Sequence, residues 1–260
     1  MRFDVGPIVA LALLVAAPAS AQWTKIPESA PRAADGTPNL SAPAPRLPDG
    51  KPDLSGVWLT SGGGRYVENL SADLKPGEVP YQPWARALVD SRADGSHGRE
   101  DPTANCLAPG APRINATPLP WKIVRGEGFI AILYEAFNLW RQIFTDGREP
   151  VRDPNPSWTG YSVGHWEGDT LVVETIGFNG RSWLDQAGKP STEALRVTER
   201  FHRRDFGHMD IQITIDDPKA YTRPWTVTLP VTLLPVAELL EFACNENNKA
   251  PDSLPGERLR

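Results

Sequence analysis

The sequence has few cysteines, no cluster of positive charge and no long helical pattern. Two cysteines stand among 260 residues, and 27 Lys and Arg residues are outnumbered by 32 Asp and Glu residues. A nucleic-acid surface needs clustered Lys and Arg to displace counterions from phosphates, so nucleic-acid binding is not predicted. No run beyond the N-terminus is apolar over the roughly 18 residues that a membrane helix needs, so no integral membrane span is predicted. The lack of long helical patterns disfavours α/β folds.

The two cysteines, Cys106 and Cys244, form an even pair. In an oxidising compartment such a pair predicts one disulfide, and a bridge across so long a loop stabilises a chain by about 4–5 kcal/mol in the chain-entropy model. A reactive thiol and a two-cysteine metal site are the alternatives, although the spacing fits no zinc pattern.

The N-terminus predicts export. Residues 8–17 form a short apolar run after Arg2, and Ala19-Ser20-Ala21 has the small-x-small pattern of a cleavage site. The run is shorter than the roughly 20 residues that span a bilayer. We therefore expect a signal peptide at residues 1–21 and a periplasmic or secreted protein; an apolar anchor that stays in place is the alternative.

The mature chain is predicted to begin with an arm. Residues 22–52 are rich in Pro, Ala and Ser, which is typical of an extended segment or linker. A short duplication relates 35–41 to 49–55, and it is too short to be a repeat architecture. We expect one domain at 53–246, followed by a tail at 247–260.

The domain is predicted to be all-β. Residues 160–175 contain two strand-like runs around the turn Glu167-Gly168-Asp169, and similar hairpins follow. In 208–216, apolar and polar residues alternate, as they do in a strand with one dry and one wet face. The pattern favours an antiparallel, up-and-down, lipocalin-like barrel with an extended N-terminal arm and one short helix at 81–92. Strands are predicted at 54–58, 121–125, 129–135, 139–144, 161–166, 170–175, 195–203, 208–216, 223–233 and 238–244.

The same alternation places a carboxylate on a dry face. In 195–203 the odd positions face the interior, and Glu199 is one of them. Burial raises the pKa of a carboxyl group toward the range that is useful for proton transfer. A β-bulge that turns Glu199 outward, or a structural pair with Arg200 or Arg141, is the alternative.

Three more polar residues are candidates for the same interior. Tyr161 and His165 share one face of a predicted strand, and Arg141 lies on an apolar face of another. An imidazole serves as general acid or base near neutral pH. Arg141 could hold an anionic or carbonyl oxygen or simply neutralise Glu199, and His165 could lie at the barrel rim instead.

Aromatic residues are the candidates for contact with a ligand. Aromatic rings line small-molecule pockets, but they also fill cores and close barrel ends. The candidate residues are Trp166, Trp140, Phe201 and Trp225.

Two apparent motifs do not lead to a predicted functional site. Residues 160–164 match G-x-S-x-G, but a turn and a second strand follow where a nucleophile elbow needs a helix. His202 and His208 flank a turn, and the sequence offers no third ligand near them. No metal and no cofactor are predicted, and whether this histidine pair binds a metal stays open.

Several motifs together carry a family resemblance. They are PDLSGVW at 52–58, WEGDTLVV at 166–173, ERF at 199–201 and EFACNE at 241–246. The sequence resembles a large family of exported bacterial proteins of uncharacterised function, and this resemblance implies no activity. A weaker similarity, through Gly56-Val-Trp58, is to lipocalin-like (calycin) barrels. That similarity implies binding of small apolar molecules and, in some related barrels, isomerisation or cyclisation inside the cup.

Three functions remain as hypotheses. The leading one is an exported barrel that binds a small apolar or aromatic molecule. The alternative is a cofactor-free acid–base enzyme of the isomerase, lyase or hydratase type. In it Glu199 would shuttle a proton, Arg141 or Tyr161 would steady an oxyanion and His165 would be the second acid or base. The third is a structural envelope module, which an interior filled by tryptophans would favour.

Overall fold

The computed structural model describes residues 30–246 and Pro255. The predicted signal peptide at 1–21, the arm residues 22–29 and the rest of the tail after residue 246 lie outside the described residues. Within the described part, nine strands form a closed barrel in which the last strand pairs with the first. The prediction of an all-β barrel is therefore confirmed.

The barrel strands follow one another around the sheet in chain order. Their side chains alternate between buried and exposed positions, because successive residues of a strand point to opposite faces. The strands are β1 (Gly56–Thr60), β2 (Trp121–Gly126), β3 (Phe129–Tyr134), β4 (Trp140–Phe144), β5 (Tyr161–Glu167), β6 (Thr170–Ile176), β7 (Arg196–Arg203), β8 (His208–Asp216) and β9 (Trp225–Leu233).

Helices are few and short. The longest is α2 (Pro83–Arg92), which begins at a proline because a first helical residue needs no N–H partner. The others are α1 (Arg65–Glu68), α3 (Arg113–Ala116) and 3₁₀ turns at Gly98–Glu100, Pro102–Asn105 and Ala136–Asn138. None of the helices in the described residues has the length and apolar character needed to cross a membrane.

The barrel is antiparallel except at one seam. Strands β4 and β5 pair in parallel, at Ile143 with Ser162 and at Phe144 with Val163. The long loop at 145–160 makes this possible, because it carries the chain back so that β5 runs in the same direction as β4. Gly164 allows the close approach there, since a Cβ atom at this position would lie 2.8 Å from the Ile143 side chain.

The strand predicted at 238–244 does not form. Residues 234–246 follow an irregular path, held by hydrogen bonds from the Leu240 N–H to Glu135 and from Asn138 to the Phe242 carbonyl. The physical reason lies in barrel closure: β9 already pairs with β1, so no sheet edge remains to accept a further strand.

The two ends of the barrel are covered differently. At the far end, the segments 61–120 and 177–195 contribute fully buried side chains such as Leu70, Ile114 and Leu184 to the core. At the opposite end, which we call the mouth, the turns at 126–128, 167–170 and 204–207 meet the arm. The arm carbonyls of Leu40 and Ala42 accept hydrogen bonds from the turn at 204–207.

The duplication in the arm has a structural counterpart. Arg32 pairs with Pro38 and Arg46 with Pro52, so that each copy forms a small loop. In each loop the arginine Nη1 donates to a glycine carbonyl, of Gly36 in the first loop and of Gly50 in the second, at 2.8 Å in both. Equal spacing of Arg, Asp-Gly and Pro thus produces the same backbone path twice.

The predicted disulfide is confirmed. Cys106 and Cys244 are bonded, with their Cα atoms 5.6 Å apart across a sequence separation of 138 residues. The bond joins the loop before α3 to the irregular C-terminal segment. It therefore holds this segment against the barrel, where a strand was predicted to hold it by sheet pairing.

Replacement of both Cys106 and Cys244 by serine is expected to lower the free energy of unfolding by about 4–5 kcal/mol. The reason is that the unfolded chain regains the freedom that a closed loop of this length removes. Urea unfolding followed by tryptophan fluorescence measures the change, with the reduced wild-type protein as the matched control. An unchanged midpoint in the serine variant would contradict the prediction.

Candidate functional site

A buried ion pair lies at the centre of the barrel. The Arg141 guanidinium, from β4, donates from Nη2 to Oε2 of Glu199, from β7, at 2.5 Å. The side chains are 1% and 0% exposed. The inward placement predicted for both residues is therefore correct, and they are in direct contact.

Neighbouring strands supply further partners for the arginine. Arg141 Nε donates to Ser162 Oγ at 2.9 Å and Nη2 donates to Thr175 Oγ1 at 2.6 Å. Burial lowers the pKa of Arg141, but the Glu199 carboxylate and the Tyr134 hydroxyl together raise it more, so the net shift of this pKa is upward. The guanidinium is permanently charged, and side chains of three adjoining strands, β5, β6 and β7, bind it.

The segment that covers the far end of the barrel supplies a partner for the Glu199 carboxylate. Asn115 of α3 donates from Nδ2 to Glu199 Oε1 at 2.6 Å, and its own Oδ1 accepts from the Tyr134 hydroxyl at 2.7 Å. Burial raises the pKa of Tyr134 well above its usual value. Sequence reasoning missed Asn115, because its position inside the barrel depends on how the segment 61–120 folds over the end and no local pattern reports this.

The resulting network is closed to solvent. Glu199 is bound by an arginine and an asparagine, and the partners Ser162 and Thr175 are themselves buried. A general acid or base must reach a substrate at hydrogen-bond distance. The arrangement around Glu199 is that of a structural ion pair, the alternative that the sequence left open.

His165 and Tyr161 do not join this network. Strand β5 turns Ser162 and Gly164 inward, so both residues face outward, and the predicted interior placement is wrong for each. The His165 side chain is 55% exposed and lies 3.3 Å from a Glu167 carboxylate oxygen. Tyr161 packs on Phe144, outside the barrel, with ring centroids 5.2 Å apart. The alternation of residues in β5 gave the wrong inner face because the polar Ser162, and not its apolar neighbours, points into the barrel.

The four aromatic residues predicted to contact a ligand lie in three different environments. Trp140 is 65% exposed on the outer surface, so its predicted place in a pocket is wrong. Phe201 and Trp225 are buried in the core, where they fill the barrel rather than border a cavity. Trp166 lies against a cleft at the mouth.

The two histidines near the β7–β8 turn have separate surroundings. His208 Nδ1 lies 2.8 Å from Asp205 Oδ1, whereas His202 Nδ1 lies 3.4 Å from Thr170 Oγ1. Among residues 30–246 and Pro255, no group of three or more His, Cys, Asp or Glu side chains could hold a metal ion.

The mouth holds the candidate site, a cleft of about 270 Å³ between the arm and the barrel. We call it the mouth cleft. Its apolar surface comes from Trp166 and from residues of β2, β3 and the arm that face the barrel axis. The lining residues are Leu47, Asp49, Pro52, Asp53, Leu54, Ser55, Ile123, Arg125, Gly126, Glu127, Gly128, Ile130, Thr145 and Trp166.

Charged groups surround the rim of the mouth cleft. Lys51 Nζ lies 6.0 Å from the centroid of the Trp166 ring, within the range of a cation–π contact. Arg125 Nη2 lies 3.3 Å from Asp49 Oδ2. Sequence reasoning missed these residues because Asp49 and Lys51 belong to an arm whose docking place only the fold reveals.

Exposed contacts hold the second arm loop over the mouth cleft. Arg46 donates to both carboxylate oxygens of Asp169, at 2.9 and 2.6 Å, and Lys51 donates to the Gly168 carbonyl at 3.3 Å. Exposed ion pairs contribute only about 0–1 kcal/mol each. This side of the cleft is therefore closed by contacts that break easily.

The chain matches no protein-family model, no curated protein and no solved structure.

Replacement of Glu199 by alanine is expected to cost about 3–5 kcal/mol of stability, because it leaves the buried charge of Arg141 without compensation. The double variant Arg141→Met/Glu199→Leu removes both charges, and we expect it to regain part of the loss. Urea unfolding of the two variants measures the difference. A loss below about 1 kcal/mol for Glu199→Ala would contradict the role of the pair.

Docking of the arm is expected to weaken in acid. The Arg46 side chain holds the pKa of Asp169 below its ordinary value of 3.8, so docking is favoured above that value. It is lost as the pH falls through the lower pKa of the docked state. The protection of 45–53 against hydrogen exchange, expressed relative to the intrinsic exchange rate at each pH, should fall on acidification and, at neutral pH, in Asp169→Asn.

The first arm loop, 31–41, is the internal control for this measurement, because it has the same backbone path without the contact to Asp169. Equal exchange of 45–53 in the wild type and in Asp169→Asn would show that this contact does not hold the arm.

Proposed function

We propose that the protein binds a small apolar or aromatic molecule in the mouth cleft. The observation that supports this most is the position of Trp166: its ring borders an accessible cleft, whereas the barrel axis is filled. Isoleucines of β2 and β3 and Leu54, two residues before β1, complete an apolar floor. Small-molecule sites are concave and mainly apolar, with a few polar groups that fix orientation.

The size of the mouth cleft sets the size of the ligand. A volume of about 270 Å³ lies just below the usual range for drug-sized molecules. The cleft suits a molecule of about one or two rings. A flat ring can lie against Trp166, since aromatic pairs in offset or edge contact add about 0.5–1.5 kcal/mol beyond the area they bury.

The charged rim supplies orientation. Arg125 of β2 lines the cleft and Lys51 of the arm lies beside Trp166, and either can donate to a hydroxyl or carbonyl oxygen at the edge of a ring. The ligand that fits best therefore has an apolar body and one polar end. The weak contacts between Arg46 and Asp169 support a path of entry, because lifting the arm loop costs little.

The other two hypotheses have less support. An acid–base enzyme needs Glu199 and His165 beside one substrate, but Glu199 lies in a closed ion pair and His165 lies on the outer surface. A structural module gains support from Trp58 and Trp121, which are fully buried in the core. It does not explain why an aromatic ring is left beside a cleft at the mouth.

Export remains part of the proposal. The small-residue pattern that ends at Ala21 and the bond between Cys106 and Cys244 both fit an oxidising compartment outside the cytoplasm. The resemblance to a family of exported bacterial proteins supports the same localisation.

Titration with 1-aminonaphthalene, a neutral bicyclic aromatic probe whose fluorescence responds to polarity, tests the proposal. We expect saturable binding to the wild type. Trp166→Ala should weaken it about tenfold or more, because it removes the aromatic wall of the mouth cleft.

Trp140→Ala is the matched control, since it removes the same side chain from the outer surface, where Trp140 is exposed. Its affinity for the probe should equal that of the wild type. Absence of saturable binding, or equal weakening by both substitutions, would contradict the proposal and favour the structural module.

A further inference from the structure

A second cleft lies away from the mouth, among the segments that cover the far end of the barrel. It has a volume of about 330 Å³ and runs between helix α2 and the segment 180–193. We call it the lateral groove. Trp84, Leu88 and Arg92 line one wall, because residues four apart share a helix face. The remaining lining residues are Gly180, Arg181, Ser182, Trp183, Pro190, Ser191, Thr192 and Glu193.

Each wall of the lateral groove is anchored to the barrel, and Arg92 also joins the two walls by donating to the Gly188 carbonyl at 2.7 Å. On the helix side, the Gln82 N–H donates to the Ala220 carbonyl at 2.8 Å and the Trp84 indole N–H donates to the Lys219 carbonyl at 2.7 Å. On the other side, the buried carboxylate of Asp217 accepts from the N–H and the hydroxyl of Thr192, at 2.6 and 2.8 Å. The groove is therefore preformed, which reduces the cost of binding.

The lateral groove carries a net positive charge. Arg92 lies at one end with its guanidinium 3.9 Å from the centroid of the Trp183 ring, and Arg181 is exposed on the opposite wall. The one acid of the lining, Glu193, is already paired with Lys219. Among the described residues Arg181 has no carboxylate partner, so its charge is available to a ligand.

Trp84 gives the groove a fixed aromatic surface. Its side chain is 47% exposed although its indole N–H is bound to a backbone carbonyl. Such a ring cannot turn away easily, and its exposed part can stack against a flat or ring-shaped ligand. An aromatic face beside an arginine suits a ring that bears an anionic group.

We propose that the lateral groove binds a carboxylate-bearing sugar, such as the uronic acid unit of an acidic saccharide. The C–H face of the sugar ring would lie on Trp84 and its carboxylate would accept hydrogen bonds from Arg181. The groove is open and its lining is polar. The Ser191 and Thr192 hydroxyls already donate within the protein, to the Ser182 carbonyl and to Asp217, so their oxygens are left as acceptors for sugar hydroxyls, and this favours a hydroxyl-rich ring over an apolar aromatic acid. The site is separate from the mouth cleft and does not depend on its function.

Isothermal titration with trigalacturonate, the acidic saccharide, tests the proposal against two other probes. Neutral trigalactose retains the sugar rings without the charge, and benzoate retains the carboxylate on an aromatic ring. We expect trigalacturonate to bind, the affinity to fall with added salt, and neither other probe to bind comparably. Binding of benzoate as tight as that of trigalacturonate, or no binding of trigalacturonate, would overturn the proposal.

Arg181→Gln should weaken the binding of trigalacturonate about tenfold or more, because it removes the exposed charge without disturbing a described ion pair. Arg196→Gln is the matched control, since Arg196 is an exposed arginine on β7 outside the groove. Trp166→Ala should also leave this affinity unchanged. Equal weakening by Arg181→Gln and Arg196→Gln would overturn the assigned site.

Discussion

The ion pair between Arg141 and Glu199 fixes what the barrel interior can be. Two charges without solvent are tolerated only when each is compensated, so β4, β7 and the neighbouring strands must hold their partners in place. Asn115 extends the same constraint to the segment 61–120, which must fold over the far end of the barrel so that Asn115 can donate to the Glu199 carboxylate. The pair thereby gives the barrel interior a structural role, and the ligand sites that we propose lie at the mouth and in the lateral groove.

The arm then determines how accessible the mouth cleft is. Its second loop completes the mouth cleft, but it is held there by exposed contacts such as the one between Arg46 and Asp169. Leu54, by contrast, is buried and fixes the arm where it enters β1. A firmly rooted segment with a loosely held outer loop is suited to admit a ligand without unfolding the barrel, which links the duplication in the sequence to the proposed function.

The sequence predicted the parts of the fold that depend on alternation. Ile211 and Ile213 in β8 mark a dry face clearly, and the same rule placed Glu199 and Arg141 inside. It failed at Tyr161 and His165, because a polar inner residue, Ser162, serves the arginine and reverses the apparent faces of β5. Nothing in the local sequence could report that closure of the barrel would leave 238–244 without an edge, or that Lys51 would reach Trp166.

We propose that small apolar ligands bind this barrel at its mouth and not in its interior. A crystal structure of the protein soaked with 1-aminonaphthalene tests this most directly. We expect density for the naphthalene ring against Trp166, between the arm and strands β2 and β3, with the Arg141–Glu199 pair unbroken. Density beside Glu199 inside the barrel, or none at the mouth, would contradict it.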